Sequence, residues 1–371
     1  MMAELQDIFI DYWDGYRECH PVSYQQAKAA HAIMACRTGV LGGHVDTCDD
    51  CGRELVSYNS CKNRNCPKCQ TVRREQWVQA RFDDLLDTAY FHVVFTFPDC
   101  LNELFRSNEQ ECYNALFRAT ADTLLECAAD EKQLGCKIGF TSILHTSGQN
   151  LSYHPHIHAV VCAGGVDNNG RFRQSSHKFF IPVQVLSQVF RGKLAEALKK
   201  LHLTIRGEDD PKRVSDIIDL SWEKEWVVYA KKPFRDAACV IEYLGRYTHR
   251  TAISNARILK VDGGKVTFRW RDYRDNNKEK VMVLDAMEFI RRFLAHVLPQ
   301  GFMRIRHYGF LANNGKKERV ALLRRLCGMA PILGARLTGF QIACRIVGRD
   351  ISKCPSCGGT LHPRTLPVLR C

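Results

Sequence analysis

The chain has 371 residues, 45% of them hydrophobic and 25% charged, enough for two or three domains around a sizeable core. No apolar run approaches the ~20 residues that span a bilayer, and the opening MMAELQDIFIDYWDG is acidic and aromatic, unlike a signal peptide, so a cytosolic protein without membrane contact is expected. The formal charge of +13 lies in residues 291–371, which hold 15 Lys and Arg against 2 Asp and Glu, while the first 290 residues balance at 38 of each.

That asymmetry suits either a surface for a polyanion, nucleic acid being the commonest, or a solvated basic tail. Eighteen cysteines without a secretory leader favour metal sites and buried thiols over disulfides.

In chain order, residues 1–40 read as helical, with YQQAKAAHAIMACR (24–37) offering good helix formers and one apolar face. Residues 44–75 are cysteine-rich and basic. FHVVFTFP (91–98) is a buried strand ended by Pro98, and 101–133 give one or two amphipathic helices. KIGFTSILHT (137–146) and HPHIHAVVCAGG (154–165) are strands with a turn at GQN between them. Helices follow at 182–201 and 235–250, then a hairpin, ARILKVDGGKVTFRWRDY (256–273), around Gly263-Gly264. The basic end carries helices such as 287–298 and 316–328. This order predicts an α+β fold, an antiparallel sheet faced by helices. Its expected divisions are a helical and cysteine-rich part (1–80), a central α+β domain (81–285) and a basic helical end (286–371).

Cys48-x2-Cys51 and Cys66-x2-Cys69 stand with 14 residues between the pairs. Each CxxC is a tight knuckle that aims two thiolates at one ion, and two knuckles complete a tetrahedral zinc shell. Cys61 and His44 are further candidate donors. Lys62, Arg64, Lys68, Arg73 and Arg74 surround the knuckles, as suits a module that touches phosphates, although a purely structural zinc fits the same residues. At the far end Cys354 and Cys357 form another knuckle, whose shell His362 and Cys371 would complete.

In SYHPHIHAVV (152–161) three histidines alternate into an apolar run. Alternate strand residues share a face, so His156 and His158 aim together, about 7 Å apart along the backbone, and can chelate one ion. The competing reading is a pair of satisfied core histidines. A third ligand is needed. His145, 11 residues before His156 at the end of the preceding strand, comes first, with His154, Glu242 and His249 behind it. Downstream, Tyr243 and Tyr247 are four apart and would project from one helix face. Aromatics at that spacing are ordinarily core, but Arg246, His249 and Arg250 are poor core neighbours.

Together, the His-hydrophobe-His strand and the Tyr-x3-Tyr helix resemble the HUH endonucleases. YHPHIHAVV, EYLGRYTHRTAISNARI, CKNRNCPKCQ and RIRHYGFLAN look most like the two-tyrosine rolling-circle transposases of bacterial insertion sequences, relatives of the Helitrons, over roughly residues 20–330. The resemblance implies an HUH-type sheet within 81–285 and a metal-dependent DNA nickase and strand transferase. Tyr243 or Tyr247 would be the nucleophile, with Mg²⁺ or Mn²⁺ on His156, His158 and His145 and a structural zinc in the amino-terminal part. It implies single-stranded DNA or a hairpin at the element ends as substrate, and a target DNA as partner. Arg246, Arg250, Arg257, Arg304 and Arg306 would hold the backbone. A plasmid relaxase or phage replication initiator would use the same chemistry. A non-catalytic zinc-dependent DNA-binding regulator would leave both tyrosines idle, and a zinc hydrolase would form no covalent adduct.

Overall fold

The computed structural model describes residues 3–175, 181–231, 239–240, 245, 252–272, 275–330 and 336–366. The architecture is α+β, and every sheet pairing is antiparallel. The main sheet runs β11–β4–β5–β3–β7, from strands β3 (Tyr90–Thr96), β4 (Lys137–Ser147), β5 (Tyr153–Val166), β7 (Val227–Lys231) and β11 (Ile305–Gly309). The short β6 (Phe172–Gln174) pairs with the end of β5.

Alternation along β5 gives this sheet two different faces. Ile157, Ala159 and Val161 enter the larger core, against α5 (Glu109–Ala129) and α6 (Val183–Lys199). There Phe95 meets Phe190 at 5.1 Å and Phe117, Phe105 and Tyr113 fill the layer, each ring contributing on the order of 2–3 kcal/mol by burial. The other face presents His156, His158, Val160 and Cys162. Val160 and Cys162 pack with Val78 of α3 (Thr71–Phe82) and with Val320 and Leu323 of α9 (Lys316–Leu326).

A second core joins distant segments. Helices α1 (Leu5–Cys19) and α2 (Tyr24–Ala35) pack on the sheet β8–β9–β10 and on α8 (Ala286–Leu294). Phe9 and Trp13 meet Phe268, Phe289 and Phe293 there. Strands β8 (Ile258–Asp262) and β9 (Lys265–Asp272) are joined by Gly263 and Gly264 at φ 55 and 74, the left-handed pair that a two-residue hairpin turn requires, and β10 is Lys278–Asp285.

The third sheet joins β1 (Gly43–Cys48) and β2 (Glu54–Tyr58) to β12 (Leu361–Leu366) from the far end of the chain. Residues beyond 285, read from sequence as a basic helical end, thus supply a strand to two of the three sheets and a helix to the second core. Most of the expected 235–250 helix lies outside the described residues. Among those described, no helix is long and apolar enough to cross a membrane.

Candidate functional site

The register of β4 on β5 sets His145 directly opposite His156, and Ile143 opposite His158. Since His156 and His158 share a face, the three imidazoles converge, with a ligating nitrogen of each within 4.8 Å of the others. His158 is buried and the other two are half-buried. Nδ1 of His156 lies 2.6 Å from the carbonyl oxygen of His154 and donates to it, leaving a lone pair on Nε2. That Nε2 is 2.9 Å from Nε2 of His158. Three neutral imidazole nitrogens turned toward one point suit a divalent cation.

Behind the trio stands a residue that the motif reading missed. His92 of β3 is buried, and its Nε2 lies 2.7 Å from Nδ1 of His158. Burial, with the charge of Lys231 beside it, pushes its pKa down to about 3, so it stays neutral and can accept the His158 Nδ1–H. The only signal in the sequence was its position: His92 is the one polar residue between Tyr90 and Phe95, at an offset that shares the face of the histidine pair.

The same face carries a second polar knot. Arg81 of α3 donates Nη1–H to Nε2 of His307 at 2.9 Å, and Nδ1 of His307 reaches Thr141 Oγ1 at 2.9 Å. Asp84 ties Arg81 at 2.9 Å and Lys316 at 3.0 Å, which fastens α3 and α9 over the sheet.

Tyr243 and Tyr247 lie outside the described residues, as do Glu242, Arg246, His249 and Arg250. Their described neighbours are informative. Val240 is buried in the same core as Ile143 and Val160, the residues flanking His158 on its face. A Cβ on Gly245 would come within 2.7 Å of Val78 Cγ2, so at this point the backbone packs closely on α3 and a larger residue would have to displace that side chain.

The three described arginines expected on DNA sit in different surroundings. Arg257 donates Nε–H to the Arg269 carbonyl at 2.8 Å and also bonds the Gln149 carbonyl, tying the second core to the β4–β5 turn. Arg306 covers the rings of Phe117 and Phe302 at 4.2 and 5.2 Å and bonds Asn114. Its neighbours Ile305 and His307 share the imidazole face, so Arg306 belongs to the opposite one. Arg304 is partly buried, and burial with the nearby Arg64 charge pulls its pKa down to about 10.

The cysteines correct the expected zinc shell. Cys48 and Cys51 do not share a cluster with Cys66 and Cys69. Cys66 and Cys69 meet Cys61, the fifth candidate, and Cys36, which the sequence reading left out. Cys61 and Cys69 stand 3.6 Å apart, Sγ to Sγ, and the Cys61 N–H points at Cys36 Sγ. Cys48 and Cys51 instead meet Cys354 and Cys357. The cause is topological. The β1–β2 turn carries one knuckle away, while loop 59–70 folds back onto the end of α2. His362 pairs with Asp49 at 2.8 Å and His44 with Asp46 at 3.3 Å, so neither joins a thiol set, and Cys371 lies outside the described residues. Sets of four thiolates suit structural zinc.

An antiparallel sheet bearing clustered imidazoles beside two sets of four cysteines suits a transposase that carries a zinc-binding domain. A "Putative transposase" family model matches residues 139–319, and a "Transposase zinc-binding domain" model matches residues 8–97. "Putative transposase y4qJ" of Sinorhizobium fredii is 43% identical over 368 residues, 95% of this chain and 92% of that protein. "Transposase for insertion sequence element IS801" of Pseudomonas savastanoi pv. phaseolicola is 32% identical over 346 residues, 91% of this chain and 82% of its own length. The chain belongs to this family of IS91-type insertion-sequence transposases. No solved structure matches it.

Proposed function

We propose that the protein nicks and rejoins single-stranded DNA at the ends of its element through a 5′-phosphotyrosine intermediate, the chemistry of rolling-circle transposition. The observation that carries this reading is the convergence of His145, His156 and His158 on the sheet face where Val240 packs with Ile143 and Val160. Tyr243 stands three residues after Val240 in the sequence and Tyr247 two after Gly245, and in this reading they supply the nucleophiles.

A Mg²⁺ or Mn²⁺ on the three imidazoles would supply positive charge to a nonbridging phosphate oxygen. The rest falls to the chain. His92 and the His154 carbonyl hold His158 and His156 with Nε2 turned inward. The oxygen of Tyr243 or Tyr247 attacks phosphorus in line, forming O–P as the P–O3′ bond breaks. The phenol loses a proton and the departing 3′-oxygen gains one, so rejoining by the reverse step needs no external energy. Two tyrosines allow a second strand to be cut while the first stays attached. The phosphate must reach a half-buried site on a sheet, which favours single-stranded or hairpin DNA over a regular duplex.

The test is a denaturing gel of the protein incubated with Mn²⁺ and 3′-end-labelled single-stranded DNA carrying the element ends. A labelled protein band is expected, and it should vanish in Tyr243→Phe plus Tyr247→Phe. Cleavage with no protein-linked product would refute the reading in favour of hydrolysis.

A further inference from the structure

We propose that Cys48, Cys51, Cys354 and Cys357 form a second all-sulfur zinc centre, which clips the far end of the chain onto the amino-terminal module. The matched zinc-binding region ends at residue 97, so half of this ligand set falls outside it.

Geometry argues first. Cys48 and Cys357 are 309 residues apart in sequence, yet their sulfurs are 3.4 Å apart, and those of Cys51 and Cys354 are 3.8 Å apart. All four fall within 4.8 Å of one another. A tetrahedron with Zn–S bonds of about 2.3 Å has edges of about 3.8 Å. The two half-sites are also one device built twice. In CDDCG and CPSCG the glycine N–H donates to the carbonyl of the first cysteine at 3.0 Å, for Gly52 and Gly358 alike. Both glycines have positive φ, 65 and 82. The N–H of the first cysteine donates to the carbonyl just past the glycine, Cys48 to Arg53 at 3.0 Å and Cys354 to Gly359 at 2.8 Å. This is the wrap that leaves both sulfurs of a CxxC pointing the same way.

The surroundings argue second. β12 lies antiparallel to β1, pairing Cys48 with Leu361 through Gly43 with Leu366. This small sheet has almost no core of its own. Its buried apolar cluster is Cys48, Cys354 and Leu361, and two of those three are proposed ligands. β2 and β12 are mostly exposed along their length. A three-stranded sheet with so little apolar burial does not hold by itself, and a structural metal is the usual remedy. Bridging by disulfides would satisfy the sulfurs only in pairs and would leave unexplained why four converge on one point.

The test counts zinc released from the full-length protein by a thiol-directed mercurial, which reports thiolate-bound ions and ignores any on the histidines. Two zinc ions per chain are expected. Cys354→Ser plus Cys357→Ser, and separately Cys48→Ser plus Cys51→Ser, should each release one. Hydrogen exchange of the same samples provides the structural readout. Amides of 361–366 should lose protection by about tenfold or more in the Cys354/Cys357 variant, while those of β4 and β5 keep theirs. A single thiolate-bound zinc in the unaltered protein would overturn the proposal. So would two zinc ions retained after loss of Cys354 and Cys357, or unprotected 361–366 amides in the zinc-loaded parent.

Discussion

His92 and His158 face each other across β3 and β5 with Nε2 and Nδ1 2.7 Å apart, both rings buried. If His158 is to offer Nε2 to a cation, its Nδ1 must carry the proton and His92 must accept it. An outer partner of this kind fixes the tautomer and ring angle of a metal ligand, and its loss typically costs 10–100-fold in metal affinity. His92→Ala is expected to weaken Mn²⁺ binding, measured by calorimetry, by about 10–100-fold. His92→Gln, which retains an acceptor oxygen, should recover part of the loss. Equal affinity in parent and alanine variant would remove His92 from the centre.

The register also separates two histidines that the sequence treats alike. His145 sits opposite His156 and inside the cluster, whereas His154 lies outside it with Nδ1 3.7 Å from the Asp99 carboxylate. His145→Ala should therefore lower DNA cleavage by about 100-fold or more, as loss of a ligand to a charge-stabilising cation would. His154→Ala should change it by only a few fold, because its contribution to the site is a backbone carbonyl. Cleavage rates at saturating Mn²⁺ decide between them, and the reverse ranking would mean that His154 is the third ligand.

What could be read in advance divides by range. Strands β3 to β5 were visible because buried β-branched and aromatic runs bounded by turns admit few other readings. The His156/His158 alternation was visible for the same local reason. His145 required a guess that the two strands are neighbours, and its alignment with His156 depends on a register that no local pattern displays. His92 looked like an isolated histidine in an apolar strand, and Cys36 like a lone cysteine at a helix end. The partnership of Cys48 with Cys357 spans nearly the whole chain. Two CxxC pairs close in sequence made a more economical site than the one that folding builds. The face that Arg306 takes was equally hidden, because it depends on the register of β11 on β4, which sets Arg306 over Phe117 and Phe302.

Cys36 offers a check on the corrected ligand set. It is buried at the end of α2, beside Cys61, Cys66 and Cys69, whereas the spacing argument alone would leave it a spectator thiol. Cys36→Ser should lower thiolate-bound zinc by one and reduce the melting temperature by several degrees, since a structural zinc contributes directly to folding. Cys112, equally buried on α5 in the larger core, serves as the control. Cys112→Ala should leave the zinc count unchanged.

Acid should loosen the joint between the second core and the β4–β5 hairpin. His296, just beyond α8, is buried, with Nε2 3.2 Å from the Leu151 carbonyl and Nδ1 3.2 Å from Thr146 Oγ1. It donates to the first and accepts from the second, a pattern only the neutral ring can satisfy. Burial pushes its pKa from 6.5 down to about 4. The unfolded chain therefore takes up a proton near pH 6.5 that the folded chain refuses until about pH 4. Stability is full above the higher value and falls as pH drops between the two, by about 3 kcal/mol for a shift of this size. His307, held neutral by burial beside Arg81 and Lys316, acts in the same direction, so one substitution should remove only part of the effect. His296→Gln, able to donate and accept without titrating, should flatten the decline in urea-unfolding stability between pH 7 and 5. An unchanged slope would show that this imidazole is already protonated in the folded protein.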